Sequence, residues 1–166
     1  GSYDKSGASN AIIDQCWSRA YIASSSESGW IAGLVAHTRA SGKASARISR
    51  SYAATAFDDK IKGTAILFVG GNETRNTISE CYGIELSGIK DGSALVESGR
   101  TFIGGARLKQ DSHCYTCAAS TLKQPGVNYL AGDGFARMSS FSNWDSSTWE
   151  VVNGRYPTLT AAPETK

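Results

Sequence analysis

The sequence predicts an all-β fold, a short parallel β-solenoid of three to four coils, and three observations carry that prediction. The composition is turn-rich, one segment recurs at a fixed period, and a second segment recurs between its copies. Eighteen glycines with only three prolines and one methionine favour many short strands joined by tight turns over long helices. "GWIAGLVAH" (29–37), "GTAILFVGG" (63–71) and "ESGRTFIGG" (97–105) align without gaps at a spacing of 34 residues. A fixed period of this length decides architecture before local propensity is read.

Within that first segment the apolar pairs Leu34-Val35, Phe68-Val69 and Phe102-Ile103 recur at identical offsets, followed by Ala36, Gly70 and Gly104. Between its copies lie "IDQCWS" (13–18), "ISRSYA" (48–53), "ISECYG" (78–83) and "DSHCYT" (111–116), each with a small Cys or Ser followed by an aromatic. Their spacings, Cys16 to Ser51 to Cys81 to Cys114, are 35, 30 and 33 residues, which places the variation in polar loops. Two short strands per unit, repeated in this way, describe coils that bury their apolar sides by stacking. Equivalent residues then fall about 4.8 Å apart, the spacing of hydrogen-bonded strands.

The period holds over residues 3–117 and breaks over 118–160. There "QPGVNYLAGDG" is turn-rich and the following stretch supplies Phe135, Phe141, Trp144, Trp149 and Tyr156. An open solenoid end exposes unpaired strand edges, so 118–160 is expected to be an irregular cap, with 161–166 a loose tail. The whole chain of 166 residues reads as one domain, long enough to bury a core without staples.

Seventeen basic and 15 acidic residues give a net charge of +2 without charge blocks, so no nucleic-acid partner is implied. The longest apolar run, Ala65 to Val69, is far shorter than the roughly 20 residues a membrane helix needs, and no membrane insertion is expected. Gly1-Ser2 looks like a cloning remnant, so a missing leader says little about location.

The glycine-flanked strands "AGLVAH" and "LFVGG", the "ISRSYA" and "ISECYG" segments, and the closing "ARMSSFSNWDSSTWEVVNGRYPTL" resemble GLUG repeats and the segment that ends such arrays. The resemblance spans about residues 11 to 160, although Leu67 stands where the first repeat has Gly33. It implies a bacterial surface or secreted module of a larger, adhesin-like polypeptide, extracellular or at the cell surface. It carries over no catalytic residues, so function rests on the faces of the fold.

Trp17, Tyr52, Tyr82 and Tyr115 occupy one repeat position, Cys16, Ser51, Cys81 and Cys114 the one before it, and Gln15, Arg50, Glu80 and His113 the one before that. Alternation along a strand puts neighbours on opposite faces. The polar column therefore argues for cysteines inward and aromatics outward, as a platform on which sugar rings stack and find hydrogen bonds. These eight residues, Gln15, Trp17, Arg50, Tyr52, Glu80, Tyr82, His113 and Tyr115, form the expected ligand-binding site for a cell-surface glycan or protein receptor. Strict alternation also puts Ile13, Ile48 and Ile78 on the aromatic side, so a bend at a coil corner that buries the aromatics is the competing arrangement.

The "HCYTC" stretch lacks the histidine position of a haem site, a second ligand pair for zinc, and the βαβ setting of a redox pair. No metal and no cofactor are expected. Buried free thiols are the preferred reading, with a disulfide between Cys114 and Cys117, or between Cys81 and Cys114 on adjacent coils, as the alternative. Carboxylate pairs are weak. Glu80 with Asp111 and Asp58 with Asp59 have no partner base, and two histidines without a serine elbow do not support nucleophilic catalysis. A non-catalytic binding module is expected, with a phage tail-fibre segment, which would allow a homotrimer, and a polysaccharide-degrading enzyme as alternatives. Asn72-Glu73-Thr74 is a formal glycosylation sequon.

Overall fold

A computed structural model describes residues 10–25, 27–38, 45–72, 76–90, 93–105, 108 and 112–162. The first repeat contributes β1 (Asn10–Asp14), β2 (Trp17–Ile22), β3 (Trp30–Ala32) and β4 (Val35–Thr38). The second contributes β5 (Ser45–Ser49), β6 (Tyr52–Phe57), β7 (Thr64–Ile66) and β8 (Val69–Asn72). The third contributes β9 (Thr77–Ser79), β10 (Tyr82–Leu86), β11 (Leu95–Val96) and β12 (Ile103–Gly105). After these come β13 (Cys114–Thr116), β14 (Val127–Tyr129), β15 (Trp149–Glu150) and β16 (Thr158–Leu159). The fold is all-β, with short 3₁₀ turns in the C-terminal segment.

Equivalent strands of successive repeats pair in parallel. The sheets run β1-β5-β9, β2-β6-β10-β13-β14, β3-β7 and β4-β8-β12, whereas β11 leaves the β3-β7 stack to pair antiparallel with β10, and β15 pairs antiparallel with β16. Val35, Val69 and Ile103 share one register position, as the 34-residue alignment requires. Trp17, Tyr52, Tyr82 and Tyr115 share another. The expectation of two strands per unit is too few: each of the first two repeats folds as four, because tight turns split both predicted segments.

One of those turns repeats in detail. Gln15, Arg50, Glu80 and His113 all hold left-handed backbone, with φ between 46° and 52°. The residue after each sends its side chain back to the carbonyl before it: Cys16 Sγ to Asp14 (3.3 Å), Ser51 Oγ to Ser49 (2.7 Å), Cys81 Sγ to Ser79 (3.1 Å) and Cys114 Sγ to Ser112 (3.6 Å). Rung-to-rung hydrogen bonds run through the turn as well. Gln15 N–H donates to Ser49, Arg50 to Ser79 and Glu80 to Ser112. Any side chain that reaches a carbonyl two residues back serves here, which is why serine replaces cysteine in the second repeat.

The left-handed residue inverts the alternation. Ile48 and Ile78 stay with Cys81 and Cys114 in the core shared by Phe68, Val69, Phe102 and Ile103, while Tyr52 and Tyr82 lie on the other face of their sheet. The inner face carries small residues, Ala53, Thr55 and Gly83, because the backbone and side chains of residues 33, 67 and 68 lie against it. A Cβ on Gly33 would stand 2.3 Å from the Leu67 carbonyl. In the same core the rings of Phe68 and Phe102 stack at 5.0 Å.

The C-terminal segment performs two tasks rather than the single end-capping expected of it. Residues 118–130 close strand edges: β14 pairs with β13, and the Gln124 side chain stands in for a further strand beside β12. Its Oε1 accepts from Phe102 and Ile103 N–H at 3.0 and 3.1 Å, and its Nε2 donates to the Ile103 carbonyl at 2.6 Å. From Phe135 onward the chain turns across the broad outer face, where Phe135, Phe141, Trp144, Trp149 and Leu159 are buried against Tyr52, Tyr82 and Tyr115.

Candidate binding face

That covering segment removes the aromatic platform expected from the sequence. The column does lie on the face away from the inner core, but Tyr52 and Tyr82 are 0% exposed and Tyr115 8%, and Trp17 is half-buried. The rings stack on one another instead of on a ligand: Trp17 on Tyr52 at 6.0 Å, Tyr52 on Tyr82 at 4.8 Å, and Tyr82 on Trp144 at 6.0 Å. Tyr115 leaves the stack and packs against Phe141 at 5.0 Å. The Tyr82 hydroxyl donates to the Pro157 carbonyl. Repeat alternation locates the outer face but is silent on a remote segment that covers it.

The polar column fares differently. Gln15, Arg50 and Glu80 sit at the turns between the β1-β5-β9 sheet and the next sheet, and His113 holds the equivalent place directly before β13, none of them fully buried. Successive members are one rung apart, about 4.8 Å. Alternation had placed this column beside the aromatics; the left-handed turn places it on the corner. A non-glycine residue in this conformation costs roughly 1–2 kcal/mol, and Asn, Asp or Gly would be cheaper. None of the four is one of these.

The corner is electrostatically mixed. Arg50 Nε donates to Asp14 Oδ1 at 2.9 Å and its Nη2 pairs with Asp14 Oδ2. The guanidinium hydrogen bond, aided by Ser49, outweighs desolvation and holds the Asp14 carboxyl below its ordinary range. From the covering segment Trp144 Nε1–H donates to the His113 carbonyl at 3.3 Å, and exposed Asp145 lies within electrostatic range of Arg50. Ser147 donates to Asp145 through both N–H and Oγ, which lowers that carboxyl too. The face therefore offers donors and acceptors of both signs along one edge.

A recess of about 330 Å³ lies between β10, β11 and the C-terminal segment, lined by Leu86, Leu95, Phe135, Tyr156, Asp133 and Arg155 among others. Both charges are already paired, Asp133 with Arg137 and Arg155 with Glu150.

Cys114 and Cys117 do not face each other. Cys114 belongs to the inner core and Cys117 to the cluster that includes the aromatics, so the disulfide between them is not made, and all four cysteines are free thiols. Burial raises the Cys81 thiol well above its usual value and pushes Cys117 up to about 11. Neither is poised as a nucleophile.

Of the carboxylate pairs, Asp58 accepts from the Tyr21 hydroxyl at 2.9 Å and the Lys60 N–H at 2.7 Å, which turns it into a loop anchor. Asp111 lies outside the described residues, as do Glu73 and Thr74 of the sequon. Among the described residues no three His, Cys, Asp or Glu side chains are grouped to hold a metal ion. No helix is long and apolar enough to cross a membrane. Comparison with protein-family models, with curated proteins and with solved structures finds no match for this chain.

The left-handed corner was the feature sequence reasoning missed. Its signal was present, a polar residue before the small residue in every repeat, but polarity alone does not distinguish an alternating face from a turn.

Proposed function

We propose that this chain is a short parallel β-solenoid of three to four coils that acts as a non-catalytic binding module. In this reading it recognises a cell-surface glycan or protein receptor within a larger surface or secreted protein, and the corner column is its contact edge. One observation carries the reading: at four stacked turns the backbone holds a strained left-handed conformation under Gln15, Arg50, Glu80 and His113. Arg50 spends its side chain on the pair with Asp14; at the other positions strain kept where a cheaper residue would fold as well points to a side chain required for something other than folding. The likeness of the repeats to GLUG segments suits an extracellular, adhesive setting.

The ladder suits an extended ligand that runs along the stack, because hydrogen-bonding groups recur about every 4.8 Å. It replaces stacking on Tyr52 and Tyr82, whose faces are covered. The test is a glycan and receptor array probed with the wild type and with a triple variant, Arg50→Gly, Glu80→Gly and His113→Gly. Glycine accepts the turn, so the variant keeps its circular dichroism and loses binding to whatever the wild type captures. Capture undiminished in a folded triple variant would remove the corner as the binding edge.

A further inference from the structure

The column that starts each turn after the left-handed residue reads Cys16, Ser51, Cys81, Cys114. Two thiols are direct neighbours in it, and the third is separated from them by a serine. Cys81 and Cys114 directly precede Tyr82 and Tyr115, which are partners in the parallel β10-β13 pairing, and the Tyr115 N–H donates to the Cys81 carbonyl at 2.9 Å. Each sulfur turns back to the carbonyl two residues earlier, at 3.1 and 3.6 Å, so the two point the same way from adjacent rungs into one core.

We propose that Cys81 and Cys114 form a cross-rung disulfide site, filled when the chain folds in contact with a disulfide oxidant. Rungs about 4.8 Å apart put the two Cα atoms inside the roughly 4.4–6.8 Å window that disulfides occupy and leave the parallel Cβ atoms a little beyond their roughly 3.5–4.5 Å range, so the bond forms with a small inward shift of the two turns and rotation of both sulfurs off their carbonyls. Cys16 is two rungs from Cys81, with Ser51 between, and Cys117 faces the other cluster. Of the six pairings four cysteines allow, the stacking selects one.

The chemistry is two thiol-disulfide exchanges with a small disulfide such as oxidised glutathione. One thiolate attacks, forms a mixed disulfide and releases one glutathione thiolate. The second thiolate then displaces the other glutathione, so that two protein thiols are oxidised and one glutathione disulfide is reduced to two thiols. Both side chains are 0% exposed in the native fold, and burial keeps Cys81 protonated. The exchange therefore belongs to folding or to an opened state, and the folded native thiols react slowly.

The experiment refolds the full chain from denaturant in a mixture of oxidised and reduced glutathione, then traps thiols with an alkylating agent in acid and denaturant before tryptic mapping. Residues 76–90 and 110–123 form the peptides that carry Cys81 and Cys114. The expected product is these two peptides joined, with two hydrogens lost, and Cys16 and Cys117 alkylated. Its denaturation midpoint rises relative to the same protein after reduction, whereas Cys81→Ser, which copies the side chain of Ser51 one rung away, yields no link and no redox-dependent midpoint. Alkylation of both Cys81 and Cys114 after oxidative refolding, a glutathione adduct left on either, or a link within peptide 110–123 would overturn the proposal.

Discussion

Glu80→Gly separates the two reasons a strained residue persists. Glu80 holds φ 52°, where an L-residue carries a cost of roughly 1–2 kcal/mol. Glycine removes that cost but adds about 0.5–1 kcal/mol of chain entropy to the unfolded state. The turn's own hydrogen bonds are unaffected, because they run from the Glu80 N–H to Ser112 and from Cys81 Sγ to Ser79, and neither uses the Glu80 side chain. The difference leaves Glu80→Gly more stable than wild type by about 0.5–1 kcal/mol. For a chain of this size that is a rise of roughly 1–4 °C in melting temperature. Glu80→Ala retains the conformational cost and gains nothing. Thermal and urea denaturation of the three proteins, followed by circular dichroism, measures both effects. A clear fall in the melting temperature of Glu80→Gly would refute the reasoning, since it would show that the side chain stabilises the fold and that the strain needs no functional explanation.

Tyr82→Ala empties the centre of the ring stack and is expected to cost about 3–5 kcal/mol, whereas Tyr82→Phe keeps the ring, loses the bond to Pro157 and costs about 1–2 kcal/mol; near-wild-type urea midpoints for the alanine variant would mean that the face is open. Gln124→Ala leaves two strand N–H groups and one carbonyl at the β12 edge without the Gln124 partner. It should cost about 2–4 kcal/mol and speed amide exchange at Phe102 and Ile103, readable by hydrogen exchange. Asp14, Asp58 and Asp145 all titrate below their ordinary value, so their contribution is complete above pH about 4 and is lost as the pH falls through their lowered native values. Urea midpoints should drop steadily below that pH, and Asp14→Asn, which weakens the pairing with Arg50, should flatten the decline.

The repeat was legible because its cause is local and periodic. Val35, Val69 and Ile103 had to coincide once the 34-residue spacing was read as stacking, and the interchange of Ser51 with cysteine marked that column as one structural position. The competing arrangement, which set Ile13, Ile48 and Ile78 on the aromatic side, is not the one adopted: Ile48 and Ile78 lie in the inner core and Tyr52 and Tyr82 in the other cluster. Ile48 and Tyr52 share a face only if the strand runs straight, and Arg50 between them bends it. Polarity at Arg50 was visible; its left-handed backbone was not, because φ is set by the turn that two neighbouring sheets require.

By itself the sequence determined the all-β class, the parallel register of successive repeats, the inward placement of Cys81 and Cys114, though not of Cys16, which is exposed, and the break in period after residue 117. Each follows from a pattern within or between neighbouring repeats. Only the tertiary structure decided what lies on the outer face. Phe135 to Leu159 reach Tyr52 and Tyr82 across more than fifty residues of chain, and burial of apolar rings is non-directional, so aromatic composition announced the need for a cover without saying which surface it would take.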